Sequence, residues 1–364
     1  MKILVSISLF FGVAGCTAPQ TVVNRSTASD ELKLFEERVQ PGEENEFAQL
    51  ASRIENVQKF VAAASKRPVA RGTHVKPHGC FQGRLTIEKE RPERTKFGLF
   101  KDEGGFDVRA RFANAWPAWR NDLLPDLHGL AVKVLGISGE FLNELEEAPV
   151  PTEQDFLAND IPNASTPDAK TLVELTEAAA RGSLSVLNFM GDHPVVAAIF
   201  KEEAARRTVR QNGRPLYPSL YGTEYFSGGP YRLGEQAAKF IWRPCDERLL
   251  QKTALRADPE FLGTGLRKQA LKAEICFNLF VQIQTDPKNH PIEDSGVNWD
   301  APLDKVAQLI FPIQDPATKE RLAQCDGLTF NPWRGLAAHR PLGNTNRARK
   351  AIYKASLKMR KQTR

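Results

Sequence analysis

Val108-Arg109-Ala110-Arg111-Phe112 alternates apolar and charged residues one for one. Successive side chains of a strand point to opposite faces, so this run predicts a strand with one buried and one polar face. Working outward, strand-like runs cover Cys80–Glu88, Asp107–Ala113, Gly129–Leu135, Gln236–Arg243 and Glu274–Thr285, with Gly and Pro punctuating between them. Phe47, Leu50, Ile54, Val57 and Val61 fit one apolar helical face, which Pro68 ends. Further helical patterns lie at about 168–181, 192–207, 258–273 and 345–361. Strands group early and helices mostly late. That order predicts an α+β domain around an antiparallel barrel, rather than alternating βαβ units. No GxGxxG or P-loop stretch occurs, so a nucleotide-binding fold has no support, and no internal repeat is visible.

The 364 residues suffice for one large core or two ordinary domains. With 21 Phe and 5 Trp there is ample apolar area to bury, which excludes disorder across the bulk. Net charge is +6, yet residues 344–364 alone carry eight Lys or Arg and no acid, leaving −2 for the rest. The basic character is therefore local. It is no whole-surface footprint for nucleic acid, and no nucleic-acid partner is expected.

The N-terminus reads as an address. Lys2 precedes an apolar run, Ile3 to Ala14, too short for an ordinary membrane span. The run ends in Val13-Ala14-Gly15-Cys16, which resembles a bacterial lipobox, where the cysteine is lipidated and becomes the new N-terminus. Residues 1–16 are accordingly expected to be a signal peptide with lipobox, 17–43 a polar tether, and 44–364 the folded body. This predicts a periplasmic protein held to the membrane through an N-terminal lipid. An ordinary signal peptide with an incidental cysteine would make it a secreted one. Cys80, Cys245, Cys276 and Cys325 remain. None forms a CxxC pair, which argues against zinc. An even count in an oxidising compartment permits disulfides, and the wide spacing fixes no pairing.

Four of five tyrosines cluster between Tyr217 and Tyr231, while Tyr353 stands alone in the basic final helix. Arg349 lies four residues before it and Arg360 seven after. At 100° per residue the three fall within about 40° of one another. A phenol ionises near pH 10 in water, and a neighbouring guanidinium or a ferric ion favours the anion. Tyrosinate is one of the few protein ligands that hold haem iron, and a second arginine could meet a haem propionate. The same helix also reads as a solvated basic face, or one resting on anionic lipid headgroups.

Five segments carry a resemblance. Arg71-Gly72-Thr73-His74 with Gly79-Cys80-Phe81 resembles the distal-histidine segment of catalases. Val108 to Phe112 resembles the next catalase strand. Asp126-Leu127-His128-Gly129-Leu130-Ala131-Val132-Lys133 looks like the family's Asp-Pro-Arg-Gly-Phe-Ala-Val-Lys. Thr152-Glu153-Gln154-Asp155-Phe156-Leu157-Ala158-Asn159 is similar to the segment ending in the distal asparagine, and Arg349 to Tyr353 matches the proximal Arg-x-x-x-Tyr. The likeness spans roughly residues 45–364. It implies an antiparallel β-barrel of catalase type with surrounding and C-terminal helices, and haem b as cofactor. By the same resemblance His74 and Asn159 are the distal pair, Arg71, Arg111 and Arg360 bind propionates, Tyr353 is the iron ligand and Arg349 its hydrogen-bond partner.

The departures also inform. The chain is shorter than ordinary catalases, which puts their intertwined tetramer and bound NADPH in doubt. The stretch between His74 and Gly79 is shortened, Ala113 or Asn114 stands where catalases have a distal Ser, and the aromatics expected after the distal Asn are missing. Thr73 replaces the catalase Val, as in the catalase-related allene oxide synthases that rearrange fatty-acid hydroperoxides. The chain looks most like the small bacterial catalase-related peroxidases. The implied substrate is hydrogen peroxide or an organic or lipid hydroperoxide, with a small organic reductant. The alternatives are a catalytically weak haem- or lipid-binding lipoprotein and a hydroperoxide-rearranging enzyme.

Peroxide cleavage needs a proton moved from the inner to the outer oxygen, work for a neutral imidazole such as His74, with the Asn159 amide orienting the substrate. Thr73 is expected to restrain that imidazole by a hydrogen bond. His78 is a rival four residues on, and His128 stands in place of a family Arg. His193, His290 and His339 sit in turn-like settings and read as surface or capping groups. Phe330 to Gly343, rich in Pro, Gly and Trp, reads as a rigid loop that sets the entry of the final helix. Ile310-Phe311-Pro312-Ile313 reads as core, and Trp116-Pro117-Ala118-Trp119 as packing in preference to the lining of a substrate channel.

Overall fold

The computed structural model describes residues 32–145, 152–207, 209–211, 214–251, 253–254 and 258–362. Its elements, in chain order, begin with α1 (Glu43–Ser65), β1 (Pro77–Ile87), β2 (Gly105–Asn114), β3 (His128–Leu135) and β4 (Glu153–Asn159). Three helices follow, α2 (Ala169–Arg181), α3 (Ser183–Asp192) and α4 (Pro194–Arg207). Next come β5 (Val209–Gln211), β6 (Arg214–Pro218), β7 (Tyr225–Phe226), β8 (Tyr231–Leu233), β9 (Gln236–Pro244) and β10 (Thr253–Ala254). The chain ends with α5 (Phe261–Ala270), β11 (Ile275–Ile283), β12 (Leu303–Phe311), α6 (Lys319–Gly327) and α7 (Asn344–Gln362).

Eight strands close into an antiparallel barrel in the order β11, β12, β1, β2, β3, β4, β7, β9, and β9 pairs back onto β11. Strand β8 hangs on β9, and β5, β6 and β10 form a separate small sheet. The α+β class expected from the alternation is the one found. On β2, Val108, Ala110 and Phe112 turn inward and are fully buried. They meet Phe81 and Leu85 from β1, Leu130, Val132 and Val134 from β3, and Phe277, Leu279 and Phe311 from the far wall. Each such side chain withdrawn from water contributes roughly 1.5–3 kcal/mol. Phe112 makes edge contacts with Phe81 and Tyr225, at 5.4 and 5.8 Å between ring centroids.

The opposite face of the same strands carries Arg109, Arg111 and Ala113 on β2, with Gly129, Ala131 and Lys133 on β3. Cys80 is in register with Arg111, Arg111 with Ala131, and Ala131 with Leu157. One row further, Ala113 pairs with Gly129 and Gly129 with Asn159. Helix α7 lies outside, packed through Ala348, Ala351 and Ile352 on Phe47, Leu50 and Ile54 of α1 and Val173 of α2. A disulfide joins Cys80 of β1 to Cys325 of α6, and a second joins Cys245 to Cys276. In the chain-entropy account, the shorter loop stabilises by about 3.7 kcal/mol and the longer by about 5.5 kcal/mol.

Three sequence expectations need correction. The tether assigned to 17–43 ends earlier, because residues from Phe35 onward are seated on the body. Phe35 N–H donates to Gln284, Arg38 N–H donates to Glu293, and Glu37, Glu43 and Glu293 all pair with Arg347 of α7. The signal peptide and residues 17–31 lie outside the described residues. The helical pattern at 192–207 starts at Pro194, since α3 already precedes it and breaks at His193. Strands β4 and β12 carry no clean alternation and were not expected as strands. In β4, Gln154 and Asp155 are both buried, under Leu336 and Asn331.

Candidate active site

His74 sits just ahead of β1. Its backbone N–H donates to Ala115 O at 3.1 Å and its φ is +57°, a left-handed conformation uncommon for a residue with a side chain. This turn aims the ring at β3. A Cβ built on Gly129 would come within 2.5 Å of His74 Cε1 and 2.6 Å of Nδ1, so the imidazole rests on the glycine's bare α-carbon. Gly129 is in register with Asn159 of β4, and both belong to the outward row of the barrel wall. The expected distal pair is thus brought to one place by strand pairing. Ala131 and Leu157, next along that wall, are only half-buried in otherwise buried strands.

Burial pushes the His74 imidazole down to about 3, reinforced by Arg111, Arg349 and Arg71 and opposed by Asp160. His74 is therefore neutral at ordinary pH, the state a general base needs. The same interactions locate the arginines. Three of the five residues assigned to cofactor binding, Arg71, Arg111 and Arg349, act on this one ring.

Arg71, Arg111 and Arg360 come from a loop, a strand and the last helix, yet they converge on Asp326. Arg71 Nη1 meets Asp326 Oδ1 at 3.0 Å, and its Nη2 donates to the carbonyls of Cys325 and Leu328 at 3.0 and 2.8 Å. Arg360 Nη2 donates to Asp326 O at 2.9 Å. Arg111 Nη2 reaches Val75 O at 3.2 Å. Its Nε is buried with no hydrogen-bond partner among the described residues. Burial, then Arg71 and Arg360, push this guanidinium well below its ordinary range, against the pull of Asp326. Arg349 donates to Asn346 Oδ1 at 3.0 Å, one turn before Tyr353. Tyr231, one of the four clustered tyrosines, carries no sequence signal that sets it apart. Its phenol is pushed up to about 12, first by burial, with Arg349 opposing and Tyr353 adding. Tyr353 itself is half-buried. Its helix meets the distal segment directly, since a Cβ on Gly72 would lie 3.9 Å from Ser356 Oγ and Gln58 Nε2 bridges Ala70 O and Ser356 O.

The other expected residues divide. Thr73 makes no side-chain hydrogen bond among the described residues, so the expected restraint of His74 by its hydroxyl is not formed. His78 belongs to a buried network, with Nε2 2.5 Å from Asn114 Oδ1 and Lys76 paired to Asp122 at 2.7 Å. His128 is held by Asp160 at 2.7 Å and projects to the opposite side of the sheet from Gly129. His339, read as surface or cap, is a core group accepting the Leu99 N–H at 2.9 Å beside Phe100, and His290 is likewise buried, bonded to Asp300. His193 does cap α3, on Phe189 O. Trp119, expected to pack, is 44% exposed under Arg67, and Ile313 is exposed where core was expected. The loop before α7 is tied to that helix by Trp333, whose Nε1 donates to Asn346 O at 2.7 Å.

Sequence reasoning missed Asp326, the anchor of the arginine cluster, and Gly129 as the seat of His74. Gly129 was legible only as part of a motif, and Asp326 had no local signal. Among the described residues no group of three or more His, Cys, Asp or Glu could hold a metal ion. A haem fits what is present. Three arginines gathered about Asp326, with one carboxylate bonded to Arg71 alone and an unpartnered buried Nε on Arg111, suit a pair of propionates. Ala113, Gly129 and Ala131 are small residues on that face of the wall, with Arg111 and Leu157 flanking Ala131.

No family model matches this chain, and neither does any curated protein. Solved structures do. A bacterial catalase superposes with a TM-score of 0.61 at 16% identity over 84% of this chain, and a fungal catalase with 0.58 at 14% over 79%. The chain spans 60% and 58% of their lengths. At that identity the likeness is one of architecture, and this chain has the catalase-type α+β barrel fold.

Proposed function

We propose that the chain is a haem-dependent hydroperoxidase, decomposing hydrogen peroxide or an organic hydroperoxide. The observation that carries this reading is the neutral His74 ring, seated on Gly129 beside Asn159 and facing the convergence of Arg71, Arg111 and Arg349. In this reading Arg71, Arg111 and Arg360 hold the propionates, Tyr353 the iron, and Arg349 favours the phenolate. When bound, the haem would supply the two electrons that break the O–O bond, and a second peroxide or a small organic donor would restore them. His74 takes the proton from the inner peroxide oxygen and returns it to the outer one, and the Asn159 amide orients the substrate without adding charge. The fold's catalase neighbours support the assignment at the level of architecture. The N-terminal address would place the enzyme in the periplasm on a lipid anchor.

An absorption spectrum of purified protein with added hemin tests this first. A Soret band is expected that Tyr353→Phe abolishes while far-UV circular dichroism is unchanged. Oxygen release from hydrogen peroxide, or oxidation of a dye donor, follows. A protein that binds no hemin ends the proposal, and haem without either activity would leave a carrier.

A further inference from the structure

A second site lies on the same outward wall, below the arginine cluster. Arg109 of β2 stands in register between Gln82 and Lys133. Lys133 is engaged by Glu153 and Asp155 at 2.6 and 2.7 Å. Arg109 makes no ion pair or hydrogen bond among the described residues. Opposite it, α6 presents Arg321 and Gln324, and the chain continues to Leu328. These residues, with Cys80 and Gln82, line a pocket of about 270 Å³. Arg321 spends one amino group on the neutral Gln314 amide, and the nearby Asp315 is held by Arg267 at 2.6 Å. Two guanidiniums therefore line one pocket and neither forms an ion pair among the described residues, although Asp315, held by Arg267, also feels the charge of Arg321.

We propose that this pocket binds a small organic carboxylate. A carboxylate offers the planar pair of acceptors that a guanidinium fork matches, and its charge is attracted to both Arg109 and Arg321. The Gln82 and Gln324 amides supply neutral polar partners, and Leu328 with the Cys80–Cys325 disulfide supplies an apolar wall. The volume falls just under the usual lower bound of about 300 Å³ for ligand pockets. It suits a single ring or short chain and excludes a nucleotide or an acyl lipid. The ligand would touch the segment from Cys325 to Leu328, whose carbonyls hold Arg71. The proposal goes beyond the haem reading and stands without it.

Titration calorimetry on the full chain tests it, with benzoate as probe, methyl benzoate as its uncharged counterpart, and sulfate as competitor. Benzoate is expected to bind one to one, at least tenfold more weakly to Arg109→Gln and to Arg321→Gln. Methyl benzoate should give no heat. Thermal denaturation of each variant checks that it is folded, and because Arg109 lies on β2 and Arg321 on α6, two separate elements, the two variants test the pocket independently. Unchanged binding in both variants, equal binding of the ester, or displacement by equimolar sulfate would each overturn the proposal. Because benzoate heats are read without haem, a failed Soret test leaves this result standing, and the reverse holds too.

Discussion

The His74 imidazole rests on the α-carbon of Gly129, where a Cβ would approach its Cε1 to 2.5 Å. Gly129→Ala must therefore displace the ring, because the barrel strand beneath cannot yield. The expected cost is about 1–3 kcal/mol of stability and, since a misplaced general base loses its geometry, about a hundredfold in peroxide turnover. Hemin binding should persist. An oxygen electrode and a hemin titration on the same preparation check both.

His74→Gln should lower turnover by roughly 10²–10⁴, the usual contribution of a positioned acid–base group, and leave the Soret band in place. His128→Gln is the informative control. Its ring projects to the other side of the sheet and is held by Asp160, so turnover should stay within about threefold of the unmodified protein, as expected of a group outside the reacting geometry. Equal losses in the two variants would reverse the assignment.

Arg111→Met is expected to act with opposite signs on two measurements. In the haem-free protein it removes a buried guanidinium repelled by Arg71 and Arg360 and lacking a partner for its Nε, a burial that costs free energy, so the haem-free Tm should rise. Hemin affinity should fall about tenfold, the worth of one charge-assisted hydrogen bond. Differential scanning fluorimetry and hemin titration read the two effects separately.

Stability should decline in mild acid. Burial holds His74 near 3 and both His78 and His339 near 4. Their unfolded forms take up protons near pH 6.5. Below that pH the unfolded chain binds more protons than the folded one, so stability present above about 6.5 is lost progressively toward pH 3–4. Asp126, pushed up to about 6 chiefly by burial, works the other way between 3.8 and 6 and offsets part of this. The haem-free protein is expected to lose roughly 5–10 °C in Tm between pH 7 and pH 5, measurable by calorimetry.

Much of the architecture was legible locally. The alternation at Val108–Phe112 lies within β2, and the basic pattern at 345–361 differs by one residue at each end from α7. Where both faces of a strand are buried, as in β4 with Gln154 and Asp155, the period disappears and the strand was read only as a motif. The histidines show the same limit. His339 adjoins Arg and Pro in sequence, which suggested a surface turn, yet its Nε2 is needed by Leu99 N–H deep against Phe100.

By itself the sequence determined the class of fold, the final helix with its Arg-Tyr-Arg face, and the distal segment containing His74, because side-chain periodicity and short motifs are local properties of the chain. Only the tertiary structure decided that Arg71, Arg111 and Arg360 meet at Asp326, that His74 has a glycine to rest on, and which cysteines pair. Those relationships join residues far apart in sequence, and they exist only once β9 pairs with β11, the barrel closes and α7 is laid against its wall.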